Sequence, residues 1–296
     1  MGGLSSEREV SFSSGKGVIE ALRKGGYEVK GIDLTKDINA FIQELEIFKP
    51  DVVFNALHGR YGEDGSVQGL LNLLDIPYTH SGVLASAVGM NKEQTKRIAR
   101  MVGIPVAEGG LYTKSEMENN PPQLPYVAKP NADGSSFGVV IVRTPEEHHN
   151  LLKNWGDESY KLVEEYIPGH ELSAAVLNDM YLGTLEIVPK TGFYDYKNKY
   201  TEGRTTHIVP APISKEAAEL VKEYTLKIHK TLGCRGVSRS DFRYDDSDPK
   251  NPRVVFLEIN TNPGMTPFSL VPDIAKQQKI SYDELVDELV KEARCD

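Results

Sequence analysis

Arg239-Ser240-Asp241 and Glu258-Ile259-Asn260-Thr261-Asn262-Pro263-Gly264 sit in and just after two stretches, 236–245 and 253–260, that both read as strands. Between them the run Asp245-Asp246-Ser247-Asp248-Pro249-Lys250-Asn251-Pro252 is rich in turn formers, so a long antiparallel hairpin is the economical reading. Side chains alternate across a strand, so Arg239 and Asp241 share a face, as do Glu258 and Asn260. That face collects a cation and three oxygen ligands, Asp241, Glu258 and Asn260, while Val254, Val255, Phe256, Leu257 and Ile259 supply most of the apolar content. Mg2+ takes one or two carboxylates and fills its octahedron with phosphate and water oxygens, and the pattern outlines such a metal-phosphate site. Strand charges commonly end as a solvated surface pair. The Asn-Thr-Asn-Pro-Gly turn weighs against that here, because it brings backbone donors to the same spot.

Towards the N-terminus the pattern changes. An amphipathic stretch around Val18, Ile19, Ala21 and Leu22 is followed by a short strand at 27–32, a helix through Ile38, Phe41, Ile42 and Leu45, and a buried strand at 51–55. Strands alternating with helices predict a doubly wound parallel sheet, and the loop His58-Gly59-Arg60-Tyr61-Gly62-Glu63-Asp64-Gly65 falls at a strand end, where open α/β sheets place ligands. A charged helix over 91–102 ends at Gly103, and Ile104-Pro105 opens a second unit. Strand 126–130, the small-residue loop 131–138 and strand 139–142 predict a hairpin flap whose backbone amides close over phosphates; the Walker spacing is absent. Further strands fill 161–189, broken at Pro168-Gly169. The long polar and aromatic loop 191–207 reads as a lid, a helix is expected over 214–232, and Ser281 with Glu284 announces a last helix through a capping box.

The chain has 296 residues, 39% hydrophobic and 26% charged, enough for two or three compact units. A net charge of -9 and an isoelectric point near 5.4 argue against a nucleic-acid partner, which needs a basic footprint. Two cysteines, Cys234 and Cys295, make neither a disulfide framework nor a zinc site and fit a reducing compartment. No apolar run reaches membrane-spanning length, so a cytoplasmic protein is expected.

Together these segments resemble the D-alanine:D-alanine ligases of the ATP-grasp superfamily over nearly the whole chain. The opening Gly2-Gly3-Leu4-Ser5-Ser6-Glu7, the loop 58–65, Met90-Asn91-Lys92, Ala128-Lys129-Pro130 with Gly134 to Gly138, Phe193 to Tyr200, Ser238-Arg239-Ser240-Asp241, and Leu257 to Thr266 with Ser269-Leu270-Val271-Pro272 stand in the family's order. The resemblance implies an N-terminal doubly wound parallel sheet (1–90) followed by a two-part ATP-grasp fold, a central subdomain (91–165) and a C-terminal catalytic subdomain (166–296). It implies that ATP phosphorylates one D-alanine and the amine of a second attacks the acyl phosphate, supplying a dipeptide for peptidoglycan. Two Mg2+ or Mn2+ ions would be held by Asp241, Glu258 and Asn260. Arg239 and the amide of Gly264 would stabilise the oxyanion, and Lys92 and Lys129 would grip the phosphates. Glu164, Glu165 and Ile167 would form the adenine hinge, with Glu171 on the ribose. Glu7, held by Ser135 and Tyr200, would pair with the first D-alanine's ammonium, and His58 would orient substrate. Lys199, Ser269 and Leu270 would receive the transferred phosphate and the second carboxylate. A homodimer is also implied.

Two other readings stand beside this one. A ligase joining D-alanine to D-lactate is opposed by Tyr200, because the resemblance implies that such members replace this tyrosine or rebuild the lid. A nucleotide-binding module without catalysis has no need of an oxyanion donor such as Arg239. The resemblance further leads us to expect an apolar strand before Gly2, a natural start upstream of Met1, and a weakened first domain. Three buried aliphatic side chains at ~1.5 to 3 kcal/mol each amount to roughly 5 to 9 kcal/mol.

Overall fold

The computed structural model describes residues 1–134, 138–190 and 205–296, and its strands gather into two antiparallel sheets. Strands β1 (Gly109–Tyr112), β2 (Tyr126–Lys129), β3 (Val140–Val142) and β4 (Lys161–Glu165) form the first, in the order β1-β4-β2-β3. Strands β5 (His170–Leu177), β6 (Met180–Pro189), β7 (Thr205–Ile208), β8 (Val237–Asp245) and β9 (Arg253–Asn260) form the second, in the order β7-β6-β5-β8-β9.

The expected hairpin is β8 and β9. Along β8 the inward residues Ser238, Ser240, Phe242 and Tyr244 are buried, while Arg239, Asp241, Arg243 and Asp245 are partly open. Phe242 meets Phe256 edge to face, with ring centroids 5.6 Å apart, a geometry worth roughly 0.5 to 1.5 kcal/mol beyond area burial. This core face packs under a helix.

Helices α1 (Arg8–Lys24), α2 (Ile38–Phe48), α3 (Ser66–Leu73), α4 (Val83–Met90) and α5 (Lys92–Met101) make up most of the N-terminal third. α6 (Lys114–Asn119) and α7 (Pro145–Lys153) cover the first sheet through Met117 and Leu151, which pack with Tyr126, Ala128 and Trp155. α8 (Lys215–Thr231) realises the helix expected over 214–232. The Ser214 side chain caps it by accepting from the Ala217 amide, and its buried face, Ala217, Val221, Thr225 and Ile228, has helical spacing. α9 (Leu270–Ala275) and α10 (Tyr282–Lys291) close the chain, the latter with the expected reciprocal capping box of Ser281 and Glu284. Among the described residues no helix is long and apolar enough to cross a membrane.

Two expectations need correction. Segments 27–32 and 51–55 form no ladder. They line an apolar cavity of about 140 Å3 and exchange no backbone hydrogen bonds with each other. Parallel pairing in this part of the chain is limited to single bridges between Gly2 and Leu34 and between Val53 and Tyr78, so the fold is mixed α/β with antiparallel sheets. The loop expected over 191–207 also ends early. Thr205 and His207 are already in β7, opposite Pro189 and Ile187 of β6, and 191–204 lie outside the described residues.

Candidate active site

Across the β8–β9 ladder Asp241 pairs with Glu258 and Arg239 with Asn260. Paired residues share a face, so all four side chains stand on the open side of the sheet. Asp241 accepts hydrogen bonds from Ser173 Oγ on β5 (2.7 Å) and from Arg239 Nε (3.0 Å), and Arg239 Nη2 reaches its other oxygen at 2.8 Å. Lys92 Nζ stands 3.3 Å from Glu258 Oε2. Asn260 Oδ1 accepts from the Asn262 amide at 2.8 Å, which starts the following turn. Among the described residues no three His, Cys, Asp or Glu side chains converge as a ready metal cage. Two carboxylates and an amide oxygen completed by phosphate and water is a donor set that suits Mg2+, and these residues fit it.

The register slips between Asp241 and Phe242, because Phe242 pairs with Phe256 while Asp241 pairs with Glu258. This bulge lets Leu257 line the same cavity as its neighbour Glu258.

That cavity, about 740 Å3, lies between the two sheets. Val127, Lys129, Ile141 and Glu164 of the first sheet form one wall, and Glu171, Arg239, Asp241 and Glu258 of the second the other. Lys129 and Glu164 stand on one face because Val127 pairs with Glu164 and Lys129 with Leu162. Lys129 Nζ is 2.8 Å from Glu164 Oε2, and Lys96 pairs with Glu164 Oε1. Burial pushes the Lys129 amine down to about 8, with Glu258 opposing the shift. Lys92 is the first residue of α5; its amide donates to Asn131 O, and Asn131 Oδ1 accepts from the Glu93 amide. The loop after β2 is thereby tied to the helix start, and Lys92 Nζ donates to Asp133 O at 2.6 Å.

The hinge between the sheets is Tyr166 to Gly169. Arg243 holds it, donating through Nε to Ile167 O (3.0 Å) and through Nη2 to Gly169 O (2.6 Å), with Glu171 at 3.5 Å from Nη1. Gly169 has φ +85°, and a Cβ there would stand 2.1 Å from Tyr244 O, so only glycine fits. Ala107, Ile167 and Val255 pack as an apolar cluster, and Ala107 and Ile167 line the cavity. The Glu165 carboxylate accepts from Arg253 Nη2 at 2.8 Å, and Glu165 also lines the cavity.

A small cavity lined by Glu63, Gly134, Lys92, Arg239, Glu258 and Asn260 adjoins the large one. Glu7 is buried beside it, and Cβ atoms on Gly59 or Gly134 would each fall 2.9 Å from its Oε2, so both glycines leave room for this carboxylate. His58 is buried, with Nε2 2.9 Å from Ser14 Oγ and Nδ1 3.3 Å from Glu63 Oε1. Nε2 thus ties the loop to α1, while Nδ1 braces the loop internally against Glu63. The turn after β9 joins this assembly, since Asn262 Nδ2 donates to Leu57 O (2.9 Å). Gly264 sits against Ser269, whose Oγ accepts from the Thr266 amide at 3.0 Å. Leu270 opens α9 and lines the large cavity.

The structure therefore brings Lys92, Lys129, Glu164, Glu165, Ile167, Glu171, Arg239, Asp241, Glu258 and Leu270 to one cavity, with Asn260 at the smaller one and Glu7 beside it. Ser135, Lys199 and Tyr200 lie outside the described residues. Sequence reasoning missed Lys96, Ser173, Arg243 and Leu257. Arg243 had a signal, because it is the next residue after Arg239 and Asp241 on the same strand face.

Two antiparallel sheets closing on a cleft, with lysines on one wall and paired carboxylates on the other, are the arrangement of an ATP-grasp protein. The D-ala D-ala ligase C-terminus family matches residues 98–291 and the N-terminus family residues 38–81. A D-alanine--D-alanine ligase from Chelativorans sp. (strain BNC1) is 51% identical over 300 residues, covering 100% of this chain and 96% of the relative. The crystal structure of a D-alanine--D-alanine ligase from Bacillus anthracis complexed with ATP superposes with a TM-score of 0.83 at 34% identity, covering 99% of this chain and 94% of that one. A D-Ala:D-Ser ligase from Enterococcus faecalis gives 0.80 at 29% identity, with 98% and 97% covered. The chain belongs to the D-alanine--D-alanine ligase family.

Proposed function

We propose that this chain joins two D-alanine molecules into D-alanyl-D-alanine at the expense of ATP, through an acyl phosphate, to supply peptidoglycan precursor. The observation that carries this reading is the meeting of Lys92, Lys129, Arg239, Asp241 and Glu258 around one cleft between two sheets. Adenine packs against Ala107, Ile167 and Leu257 and reads the backbone of hinge residues 164–167, with Glu171 at the ribose. Lys92 and Lys129 bind the phosphates. Divalent cations held by Asp241, Glu258 and Asn260 would neutralise phosphate charge during transfer. Phosphoryl transfer asks the protein for position and charge rather than covalent chemistry. Glu7 holds the ammonium of the first D-alanine, and the carboxylate of that D-alanine attacks the terminal phosphorus, so that the bond to the β-phosphate oxygen breaks and ADP leaves as the acyl phosphate forms. The second amine then attacks the acyl carbon. Arg239 and the Gly264 amide stabilise the oxyanion that forms, and phosphate leaves. His58 acts by positioning the loop at 58–65, and Ser269 and Leu270 hold the second carboxylate.

The same reading covers three units (1–90, 91–165, 166–296), supported by the confinement of β1–β4 and β5–β9 to separate sheets. The parallel bridges Gly2–Leu34 and Val53–Tyr78 support an open parallel arrangement in the first unit. Exposed Leu73 and Leu84, on α3 and α4, support a homodimer through that unit. A cytoplasmic site fits the chemistry. Phosphate release from ATP is the test, with D-alanine, L-alanine, D-lactate and D-serine compared. Release with D-alanine together with dipeptide formation is expected; release independent of any amino acid would contradict the proposal.

A further inference from the structure

Lys96 has no part in the scheme above, yet it is 1% exposed, less than Lys92, Lys129 or Lys161. It lies one helical turn beyond Lys92 on α5, so both project from one side of the helix. Its ammonium pairs with Glu164 Oε1, and the other carboxylate oxygen takes Lys129 Nζ at 2.8 Å. Glu164 is thus shared between a lysine that lines the cleft and one that does not.

Charge decides what this arrangement does. Glu164 and Lys129 alone would sum to zero, and a neutral pair has little to offer a phosphate. When Lys96 holds its proton, as direct contact with the Glu164 carboxylate favours, the triad carries one net positive charge, and it emerges at Lys129, the member on the cavity wall. Placing an ammonium so deep is costly. Burial, and then the neighbouring Lys129 charge, push the Lys96 amine well below its usual range. A purely structural role at this position would be served as well by an apolar side chain of similar length, since buried ion pairs often stabilise no better than their hydrophobic replacements.

We propose that Lys96 is a positioning residue for the nucleotide: it shares the Glu164 carboxylate, so that Lys129 is held in place at the cavity wall without its charge being cancelled by Glu164 alone. This rests on the reading of Lys129 as a phosphate ligand.

The test measures ADP affinity by titration calorimetry, with melting temperature and the KM for ATP and kcat alongside. Lys96→Met should weaken ADP binding by about tenfold or more and raise the KM for ATP further than it lowers kcat. Lys96→Arg, which keeps the charge, should stay within about threefold of the parent. Adding Glu164→Gln to Lys96→Met should recover affinity, because no carboxylate is left to cancel Lys129. A purely structural lysine would lower the melting temperature of Lys96→Met while the folded protein bound ADP like the parent, and that result would overturn the proposal. If Lys96→Met does not fold, Glu164→Gln is compared with Lys96→Met/Glu164→Gln. Equal affinities are expected, since a neutral residue 164 leaves Lys96 nothing to balance, and a further tenfold loss in the double variant would overturn the proposal. Lys129→Ala separates the two layers. Undiminished ADP binding there would remove the underlying reading, whereas loss in Lys129→Ala with none in Lys96→Met would remove only the role of Lys96.

Discussion

Asp241 and Glu258 face each other as directly paired residues across the β8–β9 ladder, one bound by Ser173 and Arg239 and the other approached by Lys92. Two acidic side chains opposite each other on a ladder repel. Their neighbours supply the compensating cations, and a divalent ion between them would do the same.

Glu258→Gln removes one of the two carboxylates while keeping its shape. Turnover should fall by about 100-fold or more, on the scale of losing a transition-state charge contact, while ATP affinity weakens far less. Chelation by EDTA should likewise stop the parent enzyme, and added Mg2+ or Mn2+ should restore it. Near-normal turnover of Glu258→Gln would remove the metal assignment.

Arg239→Ala acts on a different step. Its interaction strengthens as negative charge develops, so kcat should drop by about 10² to 10³ with KM changing only a few-fold. Steady-state kinetics with D-alanine as the varied substrate decide it, and an effect confined to KM would contradict the oxyanion role.

The hinge depends on a position only glycine occupies without strain. Gly169→Ala would place a methyl 2.1 Å from Tyr244 O at φ +85°, and both the left-handed backbone and the clash require β5 and the hinge to shift. A lowered melting temperature and weaker ADP binding are expected together. Unaltered ADP affinity would show that the hinge carbonyls fixed by Arg243 do not set the base pocket.

Lys129 gives the site a pH dependence. Its amine titrates near 8 in the free protein, and phosphate binding favours the charged form. Below that pH the ammonium is already present; above it, binding must take up a proton. ADP affinity should therefore be flat below about pH 8 and fall by up to about tenfold per unit above it. Calorimetry in buffers of different ionisation enthalpy reads the proton uptake directly, and a flat affinity across pH 7 to 10 would contradict it.

The hairpin was legible because its alternation and turn chemistry agree, and alternation alone placed Arg239, Asp241, Glu258 and Asn260 on one face. Leu257 escaped because a bulge is a register event set by the partner strand, so the period-two rule assigns this residue to the wrong side. Lys96 escaped for another reason. α5 is rich in Lys, Arg and Glu and reads as a solvated helix, and only tertiary docking, against β9 and with Glu164 of β4 reaching Lys96, buries both of its lysines. At 27–32 and 51–55 the composition suits strands, but the hydrogen-bonded neighbours there, residues 77–79 beside Val53 and Met1 beside Ile32, extend to no more than a single bridge, and how far a ladder runs is a property of the assembly.

The central claim is that a D-alanine carboxylate attacks ATP in the cleft between the two sheets, and oxygen tracing tests it most directly. D-alanine labelled with 18O in its carboxylate is incubated with ATP, Mg2+ and the enzyme, and the released phosphate is analysed by mass spectrometry beside the dipeptide. The acyl phosphate route predicts one 18O in each phosphate formed, in equal amount to D-alanyl-D-alanine. Unlabelled phosphate, or phosphate without dipeptide, would mean that water or another group attacks the nucleotide and would contradict the account.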